Sequence, residues 1–145
     1  MNRLGLALQR IQNTFNRNVD YYARKIGLTG TQMLIIEYLA SFAQNKSIYQ
    51  KDIEHEFNIR KSTATNVLRL MAEKGLITKK VDQHDTRLKA IILTEKAIKL
   101  GPKITYYFVN SENSYAEILG ADTKKELVKN LQKLNEALSE NSSKK

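Results

Sequence analysis

The sequence has no cysteine, a single proline and two histidines among 145 residues. A chain without cysteine cannot form a disulfide, a thiolate metal site or a thiol redox switch, which fits a reducing compartment. No stretch approaches the roughly 20 apolar residues that a membrane span requires. Arginines and glutamines interrupt the N-terminal residues, which argues against a signal peptide. We therefore expect a cytoplasmic protein without a membrane partner.

The usual signatures of an enzyme or a metal site are missing as well. His55-Glu56 matches the start of a zinc-binding H-E-x-x-H motif, but Ile59 stands where the second histidine is needed. His84 lies among polar residues and is more simply explained as a solvated loop residue than as a ligand. The sequence has no Gly-rich phosphate loop and no nucleophile elbow. We expect neither catalysis nor a metal or cofactor.

Basic residues are in excess, with 24 Lys and Arg against 15 Asp and Glu, a net charge of +9. Such a charge favours a polyanionic partner, because binding phosphates releases condensed counterions. A merely basic, well-solvated surface would carry the same net charge. The positions of the basic residues must therefore decide between these interpretations.

Helical periodicity accounts for most of the chain, since apolar residues recur at steps of three or four. Gly27 is expected to end the first helix, and Thr29 with Gln32 predicts a capping box for the second. A similar box at Thr123 predicts the start of the last helix. The predicted helices span residues 4–26, 30–43, 47–58, 61–74, 95–119 and 123 onward.

Two β-branched runs, residues 76–81 and 88–93, flank a polar tip at residues 82–87. This pattern predicts a β-hairpin, so the fold is expected to be mostly α with one small hairpin. The long terminal helices carry apolar stripes larger than one small core needs. These stripes could pack on the chain's own central part, but we favour packing on another subunit.

Residues 48–74 contain two short helices with a tight connection, the spacing of a helix-turn-helix whose second helix enters the DNA major groove. In that second helix an apolar face begins at Ala64. The opposite face carries hydroxyl, amide and guanidinium groups that suit base edges and phosphates, on Ser62, Thr65, Asn66 and Arg69. Lys61 is placed to reach a phosphate at the helix start.

The alternative is an ordinary solvated helix face, which would be richer in Glu and Lys. Residues 62–66, which include Thr63, are instead mostly short polar or β-branched residues that form helices poorly. We therefore favour a recognition surface.

An ordered set of motifs strongly resembles the MarR family of winged-helix transcription regulators over nearly the whole chain. The motifs are S-T-A-T-N (62–66), E-K-G-L-I (73–77), D-T-R-L-K (85–89) and I-L-T (92–94). The resemblance implies a homodimer formed by the flanking helices. It implies that Arg87 enters the minor groove from the hairpin, or wing, while Asp85 holds its guanidinium. The strand residues Lys79, Lys80 and Lys89 would add phosphate contacts.

The sequence departs from that family's pattern at several places in the helix-turn-helix. Tyr49 stands where a Ser or Thr cap is frequent, and Glu54 replaces a small alanine. Arg60 occupies the usual cap position of the recognition helix. Asn58, rather than glycine, is expected in a left-handed turn conformation, which asparagine tolerates.

The implied function is sequence-specific binding to a pseudo-palindromic double-stranded DNA operator by a homodimeric repressor. Relatives are commonly released by small aromatic or anionic ligands, and Phe15, Tyr22 and Tyr106 could line such a pocket; these aromatics could equally belong to a dimer core. The expected division is a helical dimerisation region (1–28 and 96–140), a winged helix-turn-helix lobe (29–95) and a disordered tail (141–145). A nonspecific nucleoid-type DNA-binding protein and a winged-helix protein-interaction module remain alternatives.

Overall fold

The structure is a computed structural model that describes residues 2–143, with the side chains of residues 2–140. It contains six helices and an antiparallel hairpin within the described range, which confirms the predicted mostly helical fold with a small hairpin. The elements are α1 (Leu4–Lys25), α2 (Gly30–Phe42), α3 (Gln50–Glu56), α4 (Lys61–Glu73), β1 (Ile77–Val81), β2 (Lys89–Leu93), α5 (Glu95–Leu119) and α6 (Ala121–Ser143). The chain divides into two compact units, Met1–Thr105 and Tyr106–Lys145.

Glycines end two of the helices of the first unit. Gly27 follows α1 with φ +81°, as predicted, and the Leu28 N–H donates to the Ala23 carbonyl at 2.9 Å. Gly75 follows α4 in the same way, with φ +75°. A side chain at either position would be strained, because L-residues rarely adopt this conformation. These two turns set the directions in which α2 and the hairpin leave the preceding helices.

The start of α2 confirms the predicted capping box. The Gln32 N–H donates to Thr29 Oγ1 at 3.2 Å, and the Thr29 N–H donates to Gln32 Oε1 at 3.0 Å. The Asp20 carboxylate of α1 accepts from the Gly30 N–H at 2.9 Å, which connects α1 to α2. Lys74, at the end of α4, donates to the Gly27 carbonyl at 3.1 Å and so connects α4 to the same turn.

Helix α3 is shorter than the predicted range 47–58. Its preceding residues are extended, because the Ile48 carbonyl accepts from the Ile91 N–H of β2 at 2.8 Å. The turn after α3 places Asn58 at φ +49°, which confirms the left-handed conformation expected there. The predicted capping box at Thr123 is wrong, since Gly120 ends α5 and α6 begins at Ala121.

Helix α6 continues to Ser143, past residue 141, where the tail was predicted to begin; residues 144 and 145 lie outside the described range. Terminal helices expose several large apolar side chains. In the first unit these include Leu4 and Ile11 of α1 and Ile98 of α5; in the second unit they include Val109, Ile118, Leu119, Leu127, Val128 and Leu138.

One core joins the helix-turn-helix to α2 and the hairpin in the first unit. Its fully buried large side chains come from every element between α2 and β2: Met33, Ile35, Ile36, Leu39, Ile48, Ile53, Leu68, Met71, Leu76, Ile77 and Ile91. Because α4 and the base of the hairpin share this core, their relative position is set by packing.

Candidate nucleic-acid interface

Helix α4 is oriented as its periodicity predicts. Ala64, Leu68 and Met71 are completely buried against the rest of the first unit. The residues predicted to contact DNA are all exposed: Lys61, Ser62, Thr63, Thr65, Asn66 and Arg69. The helix therefore presents hydroxyl, amide and cationic groups on one open face, with no large apolar anchor among these six residues.

Arg69 is held along the helix axis by two neighbours one turn away. Its Nη2 donates to Asn66 Oδ1 at 2.8 Å, and its Nη1 donates to Glu73 Oε1 at 2.7 Å in an exposed ion pair. The guanidinium plane is thereby oriented next to the amide of Asn66. Arginine and asparagine are side chains that form bidentate contacts with guanine and adenine edges.

Gln50, at the start of α3, holds the N-terminal turn of α4. Its Nε2 donates to Thr65 Oγ1 at 2.9 Å and to the Lys61 carbonyl at 3.3 Å. Sequence reasoning did not single out this residue, because its partners lie 11 and 15 residues away. The hydrogen bond from Gln50 therefore fixes the position of the Thr65 hydroxyl on the exposed face of α4.

Asp82 organises the tip of the hairpin. Its Oδ2 accepts from the backbone N–H groups of His84 and Asp85, at 3.0 and 2.9 Å. Its Oδ1 accepts from the Tyr49 hydroxyl at 3.0 Å. The Tyr49 hydrogen bond and the two N–H groups lower the pKa of Asp82, and the same bond to Asp82 raises the pKa of the Tyr49 phenol.

Asp85 and Arg87 form a two-point ion pair at the tip. Arg87 Nε donates to Asp85 Oδ1 at 3.0 Å and Arg87 Nη2 donates to Oδ2 at 3.1 Å. The side chain of Arg87 is nevertheless 88% exposed, so the guanidinium is held and remains open to a ligand. Arg87 lowers the pKa of Asp85, and Asp85 raises the pKa of Arg87. The arginine thus stays charged at any physiological pH.

A cleft of about 410 Å³ lies between the helix-turn-helix and the hairpin. It brings together predicted contact residues that are distant in sequence, and it adds Lys51, which was not predicted. Helices α3 and α4 contribute Lys51, Lys61 and Thr65, and the hairpin contributes Lys79, Arg87 and Lys89. Five cationic side chains and one carboxylate, that of Glu54, thus line one concave surface. The excess of positive charge suits a phosphate backbone.

The strand register separates the three strand lysines into two groups. Lys79 pairs with Ile91 and lies on the face toward the cleft, whereas Lys80 pairs with Ala90 and lies on the other face. Lys80 lines a separate hollow with Ser47 and His84. Lys79 and Lys89 therefore share the cleft with α4, and Lys80 does not.

The three residues predicted to line a ligand pocket are divided between the two units. In the first unit Phe15 and Tyr22 are half-buried on α1, and the Tyr22 hydroxyl donates to the Lys103 carbonyl at 2.8 Å. A cavity of about 630 Å³ in the same unit is lined by neighbours such as Asn16 and Val19. Tyr106 belongs to the second unit and is 65% exposed. Their role in binding a ligand stays a prediction.

The structure describes the side chains of residues 2–140. Among them, no cluster of three or more His, Asp or Glu side chains is arranged to hold a metal ion. No described helix combines the length and apolar character needed to cross a membrane.

Comparison with known proteins is consistent with this geometry. Residues 26–88 match the family model described as MarR family. The crystal structure of the transcription regulator MarR from Oenococcus oeni PSU-1 is 36% identical, with a TM-score of 0.77, over 94% of this chain and 99% of that one. The S. aureus MepR–DNA complex is 26% identical, with a TM-score of 0.82, over 95% and 99%. S. aureus MepR in its DNA-binding conformation is 27% identical, with a TM-score of 0.81, over 94% and 98%.

Proposed function

The chain belongs to the MarR family of winged-helix transcription regulators, and on that premise we propose that it is a homodimeric, sequence-specific DNA-binding repressor. One observation supports this proposal above the others. Lys61 and Thr65 of the exposed polar face of α4 and the braced arginine of the hairpin border the same cation-lined cleft. A DNA duplex offers both a wide major groove for a helix and an adjacent minor groove for a narrow probe.

The proposed contacts divide between the two elements. Helix α4 enters the major groove, where Asn66 and Arg69 read base edges and the hydroxyls of Ser62, Thr63 and Thr65 bind base edges or phosphates. From the wing, Arg87 enters the minor groove, where a narrow groove concentrates negative potential. Lys61, Lys79 and Lys89 bind phosphates from within the cleft. Lys80 lies on the opposite face of the hairpin and contributes less to phosphate binding.

The exposed apolar side chains of the terminal helices support the proposed homodimer. Covering such side chains stabilises an assembly in proportion to the apolar area removed from water. Two copies related by a twofold axis would place their recognition helices in successive major grooves, about 34 Å apart. The operator is then a pseudo-palindrome with half-sites one helical turn apart.

Release by a small aromatic or anionic effector completes the proposal. Such a ligand can lower DNA affinity only by binding more tightly to a dimer whose recognition helices are wrongly spaced for the operator. The protein would act in the cytoplasm, where its DNA is found, and without catalysis or a cofactor.

In vitro selection tests the function directly. The full-length protein is incubated at fixed salt with a library of random 30-base-pair duplexes, and bound DNA is amplified and sequenced over several rounds. We expect enrichment of an inverted repeat that binds about 10³-fold more tightly than unselected DNA, as specific regulators do. Tight binding without enrichment would identify a nonspecific nucleoid-type protein. Absence of DNA binding would instead favour the alternative that the protein is a winged-helix protein-interaction module.

A further inference from the structure

We propose that the three-residue segment Ile48–Gln50 couples the wing to the recognition helix, and that Tyr49 is a positioning residue for Arg87. By bonding to Asp82, the Tyr49 hydroxyl holds the wing tip at the distance from α4 that lets Arg87 and α4 engage one duplex. This role rests on the proposed function, since it concerns the alignment of two DNA-contacting elements.

Each residue of the coupling segment is bonded to a different element. The Ile48 carbonyl accepts from the Ile91 N–H of β2 at 2.8 Å. The Tyr49 hydroxyl donates to Asp82 at the end of the hairpin, at 3.0 Å. Gln50 donates to the first turns of α4, as described above. A displacement of the wing relative to α4 would therefore have to break bonds to this segment.

The wing tip needs such a second anchor. A two-stranded ribbon is only marginally stable by itself and twists easily. The base of this hairpin is anchored by buried Ile77 and Ile91, whereas Val81 at its far end is 50% exposed. Of the bonds described for the tip, the one from Tyr49 reaches it from outside the hairpin. The tip's direction would otherwise depend on the hairpin alone.

The bond from Tyr49 also connects to Arg87 through the tip. One oxygen of Asp82 accepts from Tyr49, while the other accepts from the N–H of Asp85. Asp85 in turn holds both the side chain and the backbone N–H of Arg87. An unbroken series of hydrogen bonds therefore runs from the start of α3 to the guanidinium.

Tyrosine suits this position because the helix start does not use its side chain for capping. The Tyr49 N–H is satisfied by the Asp52 carboxylate at 2.8 Å, so the phenol is left for Asp82. A serine or threonine could cap α3, but its short side chain could not extend to the wing. The tyrosine that replaces the family's frequent Ser or Thr cap residue therefore bonds to the hairpin instead of capping α3.

The first test compares Tyr49→Phe with the control Tyr21→Phe, which removes a hydroxyl from an exposed tyrosine of α1. Hydrogen exchange is measured on the free full-length proteins. We expect faster exchange in residues 82–88 of Tyr49→Phe, and no change in α4 or in the control. Unchanged exchange in residues 82–88 would overturn the proposed anchor, whatever the protein does with DNA.

The second test is a double-mutant cycle with Arg87→Ala, using the duplex selected with the unmodified protein. Tyr49→Phe should weaken binding by about threefold to tenfold, the range expected for one solvent-accessible hydrogen bond. In the Arg87→Ala background the same change should weaken binding less than about twofold, since the two residues act together. Equal losses in both backgrounds would show that Tyr49 does not act through Arg87, and the positioning role would be wrong.

A conservative variant of Asp82 distinguishes the positioning of Arg87 from a general disruption of the wing tip. In Asp82→Asn the side-chain oxygen can accept from the two backbone N–H groups while the amide donates to the Tyr49 oxygen. We expect this variant to bind nearly as tightly as the unmodified protein, and Asp82→Ala to bind at least as weakly as Tyr49→Phe. Equal binding by Asp82→Ala and the unmodified protein would contradict the coupling. Failure to select any duplex would instead refute the proposed function, and the hydrogen-exchange test would still decide the anchor.

Discussion

The recognition helix and the wing are held in place by different kinds of interaction. Leu68 and Met71 fix α4 by packing in the core, where both are completely buried. The wing tip is held by hydrogen bonds and an ion pair, and its Arg87 side chain is 88% exposed. Damage to the buried face of α4 should therefore reduce the stability of the whole unit, whereas damage to the tip should mainly change DNA binding.

The largest effect is expected from Leu68→Ala, which removes a completely buried side chain from α4. Such a cavity costs about 2–5 kcal/mol of unfolding free energy, because the surrounding core relaxes only partly. Urea denaturation followed by circular dichroism measures this loss. The matched control is Leu70→Ala, because Leu70 lies on the same helix but is 39% exposed. Its loss of unfolding free energy should be much smaller. Equal losses in the two variants would contradict the assigned inner face.

Arg69→Ala should leave stability nearly unchanged and reduce sequence discrimination. A base-reading arginine contributes about 1–3 kcal/mol of discrimination against the wrong base. The measurement is the ratio of affinities for the selected duplex and for one altered in each half-site. Arg24→Ala is the matched control, because Arg24 also forms an exposed i,i+4 ion pair, on α1. An unchanged ratio in Arg69→Ala would show that this residue binds phosphate instead.

These positions also mark how far the sequence could predict the structure. The periodicity around Ala64 predicts the buried face of α4, because burial follows helical spacing directly. The Asp85–Arg87 pair was expected from the family resemblance and lies two residues apart in the chain. Tyr49–Asp82 and Gln50–Thr65 were not predicted, since their partners are 33 and 15 residues apart and depend on how α3 packs. The structure was also needed to show that Lys79, and not Lys80, lies on the face of the hairpin that borders the cleft.

Arg87→Ala should weaken binding to selected and altered duplexes alike, by about tenfold, because the arginine supplies charge and groove contact more than base reading. Fluorescence anisotropy at moderate salt gives both affinities, and the unfolding free energy serves as the control for folding. If the variant binds the selected duplex as tightly as the unmodified protein, Arg87 does not enter the minor groove.

A smaller effect is expected from lysines on the two faces of the hairpin. The plot of log affinity against log salt has a negative slope, and Lys79→Gln should make it less steep by about 0.9, the effect of one lost phosphate contact. Lys80→Gln should change the slope less, since Lys80 lies on the face away from the cleft. The paired titrations use the selected duplex with both variants. Equal slopes would mean that DNA contacts both faces of the wing.

The smallest effect is expected from pH. The pKa values of Asp82 and Asp85 lie below the ordinary value of 3.8, because the ionised carboxylates accept hydrogen bonds from Tyr49 and Arg87 and from backbone N–H groups. Groups with a lowered pKa stabilise the folded tip above their unfolded pKa and lose that effect as pH falls through the folded pKa. The amide resonances of Asp85 and Arg87, whose N–H groups donate to Asp82 and Asp85, should therefore stay constant from neutral pH to about pH 5. They should shift only below the ordinary carboxyl pKa. The amide resonance of Leu68, a buried residue of α4 without a titratable group, should shift at a still lower pH or only with global unfolding. A shift of the Asp85 and Arg87 resonances between pH 5 and 7 would mean that the two carboxylates do not control the order of the tip.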